Sequence, residues 1–174
     1  MITRLTQSGD ATVTDDFPSY AFVPGGPWPH PAASHQKPTN EAERQAMLDR
    51  GIALFDAGYY WEAHELWEVL WHVFGRHGPK ADVLKGLIKL AASGVKVREK
   101  QRHGVVTHAS RAAETFVKAR DCGGERLFGF DLNELINLAR AIADKPPEDV
   151  SLREARVAIV FDFQLRRLVR MMDS

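Results

Sequence analysis

From Asn40 to Ala143 apolar residues return every three or four positions, the spacing of one face of an α-helix. The first run holds Met47, Leu48, Gly51, Ile52, Leu54 and Phe55. Asn40 precedes it with Glu43 three residues on, the spacing of a capping box. Gly58 breaks the pattern. A second run follows in Tyr60, Ala63, His64, Trp67, Leu70, Trp71 and Phe74, closed by Gly75, Gly78 and Pro79. The spacing predicts a third helix over 80–101, with Val83, Leu84, Leu87, Ile88, Leu90, Ala91, Val95 and Val97 on its apolar side. Lys85, Lys89 and Lys96 occupy its other side. Gly104 marks a turn, and Val105, Ala109, Ala112, Ala113 and Phe116 carry a fourth helix that ends at Gly123 and Gly124. A fifth runs from Asp131 to Ala143 and stops before Pro146 and Pro147.

The short breaks at Gly58 and Gly104 predict an all-α fold of stacked antiparallel helical hairpins. The first hairpin is tetratricopeptide-like, with Gly51, Leu54, Gly58, Tyr60, Ala63, Trp67 and Leu70 at suitable small and large positions. The second is no repeat of it, because Lys96 and Lys100 fall on apolar positions when Gly104 is aligned with Gly58.

The flanks differ. Residues 1–40 hold six of the nine prolines, which no helix or central strand accommodates. Yet Phe17, Tyr20, Phe22, Val23 and Trp28 lie there too, and disordered tails are poor in aromatics. The expected organisation is an extended arm over 1–39, a helical domain over 40–145 and an extension over 146–174 that packs on the domain. In that extension Ile159, Phe161, Phe163 and Leu165 alternate with more polar neighbours, which predicts a short extended segment, although Leu168, Val169 and Met172 would suit a helix.

Composition adds a few limits. At 174 residues, 44% hydrophobic and 26% charged, the chain suits one globular domain with an arm. No apolar run has the roughly 20 residues a membrane span needs, and the first residues lack the apolar stretch of a secretory signal. The single Cys122 suits a reducing compartment, so a cytoplasmic location is expected. The 23 basic and 23 acidic side chains cancel, which disfavours nucleic-acid binding by bulk charge. The cancellation hides segregation. Residues 41–75 carry a net charge of −5 and residues 76–130 a net charge of +7. Pairing between adjacent helices, Glu62, Glu65 and Glu68 against Lys85, Lys89 and Arg111, is the expected compensation.

The second helix holds the densest chemistry. Tyr60, His64, Trp67 and Trp71 share one face at helical spacing, and Glu65, Glu68 and His72 form an adjacent stripe. His64 with Glu68, or Glu65 with Glu68 and His72, could ligate a divalent metal if another helix supplied more ligands. His64 could equally serve as a general base oriented by Glu68. An aromatic and acidic face could also receive a peptide or small ligand. The plain alternative is a buried histidine bonded to a neighbouring glutamate among core tryptophans. His64-Glu65 opens like the zinc-protease motif H-E-x-x-H, but its fifth position is Glu68, so the two-histidine face is missing.

Elsewhere the signals are weaker. The basic segment 80–111 could bind RNA or phosphate, but no aromatic residues interleave with its charges to stack bases. His30 and His35 of the arm could cap a site. Nothing beside Cys122 argues for a reactive thiol. Phosphate-binding loops, dinucleotide fingerprints and the G-x-S-x-G nucleophile motif are absent from the sequence.

Taken whole, the run from Phe55 to Trp71, with its E-A-H-E followed by W-E-x-x-W, resembles the signature of the family catalogued as domain of unknown function 309. Lys85 to Ala92 is similar to that family's second block, and Tyr20 to Pro31 to the arm of its longer members. The resemblance covers residues 45–118 and the arm. It implies a small all-helical domain and no particular reaction. Its recurring polar positions map onto Glu62, His64, Glu65 and Glu68, while Lys89 departs from the uncharged polar residue such members carry there.

The expectation is a non-enzymatic binding or scaffold domain, with ligand-binding candidates Glu62, His64, Glu65, Glu68, Trp67, Trp71 and His72. The first alternative is a metal- or small-ligand-dependent enzyme that uses His64 and Glu68, with His64, Glu65 and Glu68 as metal candidates. The second is RNA or phosphate binding through 80–111. No cofactor beyond a divalent metal is suggested. A protein or small ligand is the expected partner, a membrane is not, and a homodimer is an open alternative.

Overall fold

The computed structural model describes residues 16–32, 34–148 and 154–170. Residues 1–15 of the expected arm, and 149–153 and 171–174 of the expected extension (Met172 among them), lie outside the described residues. The elements run α1 (Glu41–Asp56), α2 (Tyr60–Val73), α3 (Pro79–Arg98), α4 (Arg102–Gly123), β1 (Arg126–Leu127), β2 (Phe130–Asp131), α5 (Leu132–Asp144) and a 3-10 turn at Leu165–Arg167. Among the described residues no helix is long and apolar enough to cross a membrane.

Local chemistry sets most boundaries. Asn40 Oδ1 accepts the Glu43 N–H at 2.9 Å. The return bond of the box goes one residue further out, where Glu43 Oε2 accepts the Thr39 N–H at 2.7 Å and the Thr39 hydroxyl at 2.9 Å. Asp131 caps α5 by accepting from the N–H groups of Asn133 and Glu134. α3 ends short of the expected 101. Lys100 takes φ +57°, which no helix continues, and Gln101 N–H turns back onto the Lys96 carbonyl at 3.0 Å, so the turn lies here and not at Gly104, which sits inside α4.

Successive helices pack on one another, and three interfaces share a device. A methyl group on Gly51 of α1 would overlap the Trp67 indole of α2. One on Gly94 of α3 would overlap the Tyr60 ring of α2, and one on Gly86 of α3 the Phe116 ring of α4. Each glycine lets a large ring reach the facing backbone, so the stacked helices approach closely. Trp67 and Phe116 are wholly buried, and Tyr60 is nearly so.

The paired strands β1 and β2 were not legible in the pattern. Their turn needs left-handed φ at both central residues, and Phe128 supplies one of them at +54° beside Gly129 at +78°. A bulky aromatic there gives no turn signal.

Arm and tail lie over the first hairpin. Among the described residues the tail forms no strand before the 3-10 turn, and it pairs in a bridge at Val169 with Phe130. Phe161 stacks on Phe55 at 5.7 Å and Phe163 on Phe161 at 5.2 Å. Ile159 breaks the expected alternation and stands 62% exposed. Asp56, at the end of α1, accepts the Leu165 and Arg166 N–H groups at 2.7 and 3.1 Å. Arm and tail also meet directly, with Ala21 N–H donated to the Arg156 carbonyl at 2.8 Å.

Candidate functional site

The four-residue spacing on α2 separates its side chains into three environments. Tyr60 and Trp67 belong to the core. The Tyr60 hydroxyl accepts the Val160 N–H at 2.9 Å, and burial pushes its pKa up to about 12. The Trp67 N–H reaches the Leu48 carbonyl at 3.5 Å. Trp71 is half-buried, with its N–H buried and unpartnered, Lys85 over its ring at 5.7 Å and His72 against its edge at 5.2 Å. Glu68 and His72 are exposed.

Glu62 and Glu65 face the arm. Glu62 is buried, and its Oε1 accepts the Phe22 N–H at 2.8 Å while Oε2 has no partner. Burial pushes its pKa up to about 7, with the neighbouring Glu65 charge acting in the same sense. Glu65 Oε1 lies 3.1 Å from His30 Nε2, and its Oε2 lies 3.8 Å from His35 Nε2. The Trp61 indole nitrogen also lies 3.1 Å from His30 Nε2. Phe22, His30 and Trp61 meet edge to face, with centroids 4.8 to 5.6 Å apart.

His64 occupies the third environment. It is half-buried, 5.6 Å from the Trp61 ring, and its Nδ1 is buried with no partner. Burial lowers its pKa against the opposing pull of Glu68 and Glu65, so the neutral ring is favoured. His64 and Trp61 line a cavity of about 180 Å3 with Pro24 of the arm, Ala92, Val95 and Lys96 of α3, Glu99 just past its end, and His108 of α4. Lys96 and Glu99 form an ion pair at 2.9 Å along its wall. Burial, then the positive charges of Lys96, Arg111 and Lys89, lowers the His108 pKa, so a second neutral imidazole faces the space.

The structure groups the α2 side chains differently from the sequence expectation. Among the described residues no three His, Cys, Asp or Glu side chains stand together as a metal-holding group, His64, Glu65 and Glu68 included. His64 makes no hydrogen bond to Glu68. Of the seven ligand-binding candidates only His64 lines this cavity. Pro24, Trp61, Lys96, Glu99 and His108 were missed as site residues because they come from four separate segments, and no local motif joins them.

The expected pairing of acidic and basic helices is corrected too. Among the described residues no salt bridge joins Glu62, Glu65 or Glu68 to Lys85, Lys89 or Arg111. Glu62 and Glu65 turn to the arm instead. Lys85 covers Trp71, and Lys89 donates to the Thr115 hydroxyl at 3.2 Å.

Fold and site together define a stacked-helix domain with an arm-roofed cavity. Residues 48–108 match the model of the family described as Domain of unknown function (DUF309), the family that the second-helix motif resembles. That segment carries every lining residue of the cavity except Pro24. No curated protein and no solved structure gives a significant match to the chain.

Proposed function

We propose that the protein is a non-enzymatic binding protein whose ligand site is the cavity between α2, α3 and α4. The observation that carries this reading is the His64 Nδ1, buried and unpartnered in the wall of a mostly apolar space. An unmet buried polar atom costs about 1–3 kcal/mol, and a ligand with one polar group beside His64 would recover it. The size fits a small molecule. A cavity on the order of 150 Å3 holds one benzene-sized ring, and this one is about 180 Å3.

Catalysis through His64 and Glu68 has less support, since a general base gains from an orienting bond and this pair makes none. RNA or phosphate binding along 80–111 draws support from the grouping of Lys85, Lys89 and Arg111, whose charges act on one another. A mobility-shift titration at two salt concentrations tests it; no shift at low salt removes it. A cytoplasmic setting rests on Cys122, which is free and exposed. The tetratricopeptide-like reading of α1 and α2 rests on their sequence spacing.

The test of the main reading is a fragment screen by NMR on the full chain, using single-ring compounds with one hydrogen-bonding group. Binders are expected to shift the His64 and His108 ring resonances, and His64→Ala is expected to abolish the shifts. A panel that moves neither ring at millimolar concentration overturns the proposal.

A further inference from the structure

The two imidazoles of the cavity stand in opposite electrostatic surroundings. His64, on α2, is acted on by Glu68 and Glu65. The charges that act most on His108, on α4, are positive: Lys96 and Lys89 of α3 and Arg111 of α4. Lys96 lines the space itself. Its ion pair with Glu99 at 2.9 Å engages one donor of an ammonium that carries three. The remaining wall is the Trp61 ring with Pro24, Ala92 and Val95. We infer that the cavity takes a small aromatic carboxylate bearing a ring hydroxyl, with the carboxylate directed to Lys96 and His108, the ring against Trp61 and the hydroxyl at His64 Nδ1.

Each part of that ligand answers a feature of the wall. A carboxylate accepts from the Lys96 ammonium and from an N–H of His108, and a bond to a charged group is the stronger kind. It also offsets the mutual repulsion of Lys96, Lys89 and Arg111, which Glu114 and Asp82 relieve only at Lys89. A cation in its place would add to that repulsion, and a neutral amide would leave it standing. His64 Nδ1 is buried without a partner. In a neutral ring that nitrogen donates in one tautomer and accepts in the other. A hydroxyl does both, so it fits either. At about 180 Å3 the space admits one ring and no second.

The inference rests on the cavity reading and names the ligand class of that same site. Its test is an NMR titration of the full chain at neutral pH with three probes of one shape: para-hydroxybenzoate, para-hydroxybenzamide and para-hydroxybenzylamine. The acid is expected to bind about tenfold more tightly than the amide, the factor a bond to a charged group adds, and the amine most weakly. Lys96→Met removes one cation and leaves Glu99 unpaired, so the order of acid and amide is expected to reverse. Arg111→Gln, outside the wall, is expected to narrow the ratio to about threefold, since a more distant charge is more screened. Thermal melts confirm that each variant folds, and Arg111→Gln carries the test if Lys96→Met does not. Equal affinity for acid and amide, or an unchanged ratio in a folded variant, overturns the carboxylate and leaves the cavity reading in place. Benzoate, without the hydroxyl, is expected to bind more weakly and to leave the His64 ring resonance unmoved; a His64 ring that responds equally to both acids overturns the placement of the hydroxyl. If other single-ring fragments move the His64 and His108 rings and none of these probes does, the ligand class alone falls. A panel silent throughout overturns the cavity reading itself.

Discussion

The Trp67 indole lies so close to Gly51 that a single methyl group on that residue would overlap it. The largest buried side chain of α2 thus meets bare backbone of α1, and their contact sets how near the two helices stand. Gly51→Ala is expected to lower stability by about 1–3 kcal/mol through overpacking, despite the better helix propensity of alanine. Gly104→Ala is the control. There the new methyl meets the Lys96 side chain at 2.9 to 3.4 Å, which that chain can relieve by a small shift, so the loss is expected to stay below that of Gly51→Ala. Urea denaturation of both variants distinguishes a seated ring from a generic cost of substitution.

Asp56 holds the tail by accepting two backbone N–H groups. Asp56→Ala strands both donors and is expected to cost about 2 kcal/mol. The loss is expected to be local first. Leu165 and Arg166 amides should exchange faster while amides in α3 keep their protection, which hydrogen-exchange NMR reads directly. Uniform loss of protection through α3 would mean the tail is part of the global core.

The Glu62 pKa rises from 4.5 in the unfolded chain to about 7 in the fold. Because the folded value is the higher one, the folded state binds the proton more tightly. Stability is fullest below pH 4.5 for this group and declines as pH climbs toward 7. The decline amounts to about 3 kcal/mol at most. Glu62→Gln is expected to remove that slope and to be more stable than the wild type at pH 8. Denaturation midpoints at pH 5 and pH 8 for the two proteins check it.

His64→Phe separates stability from binding. An apolar ring of similar shape leaves no unmet nitrogen, so the fold is expected to keep or gain stability. It is also expected to lose every fragment that the wild type takes up. A loss above about 1 kcal/mol would show that His64 holds a structural bond.

The helices were readable because each advertises itself locally. Asn40, Gly58 and Asp131 are short-range signals, and the 3.6-residue period needs no knowledge of neighbours. The end of α3 and the β1–β2 turn were not, since Lys100 and Phe128 adopt a backbone state that their residue types rarely favour. The signature of α2 marks the helix that carries Glu62, His64 and Glu65, but Trp67 is core. What the sequence could not display is the partnership of His64 with His108 around one cavity, or of Glu65 with His30. Those depend on which faces α3, α4 and the arm turn toward α2, and no spacing within one helix records that.

The bond between Ala21 and Arg156 bears on the order of assembly. The arm precedes the five helices in the chain, yet the acceptor of its Ala21 N–H follows them. α1 through α4 contact their sequence neighbours and can form as they emerge, and the arm can meet α2 through Glu62 and Glu65, but its bond to Arg156 must wait for the tail. A nascent chain therefore holds its cavity under an incompletely fastened roof until the tail has been made. Any molecule meant to be enclosed has its widest opportunity to enter then.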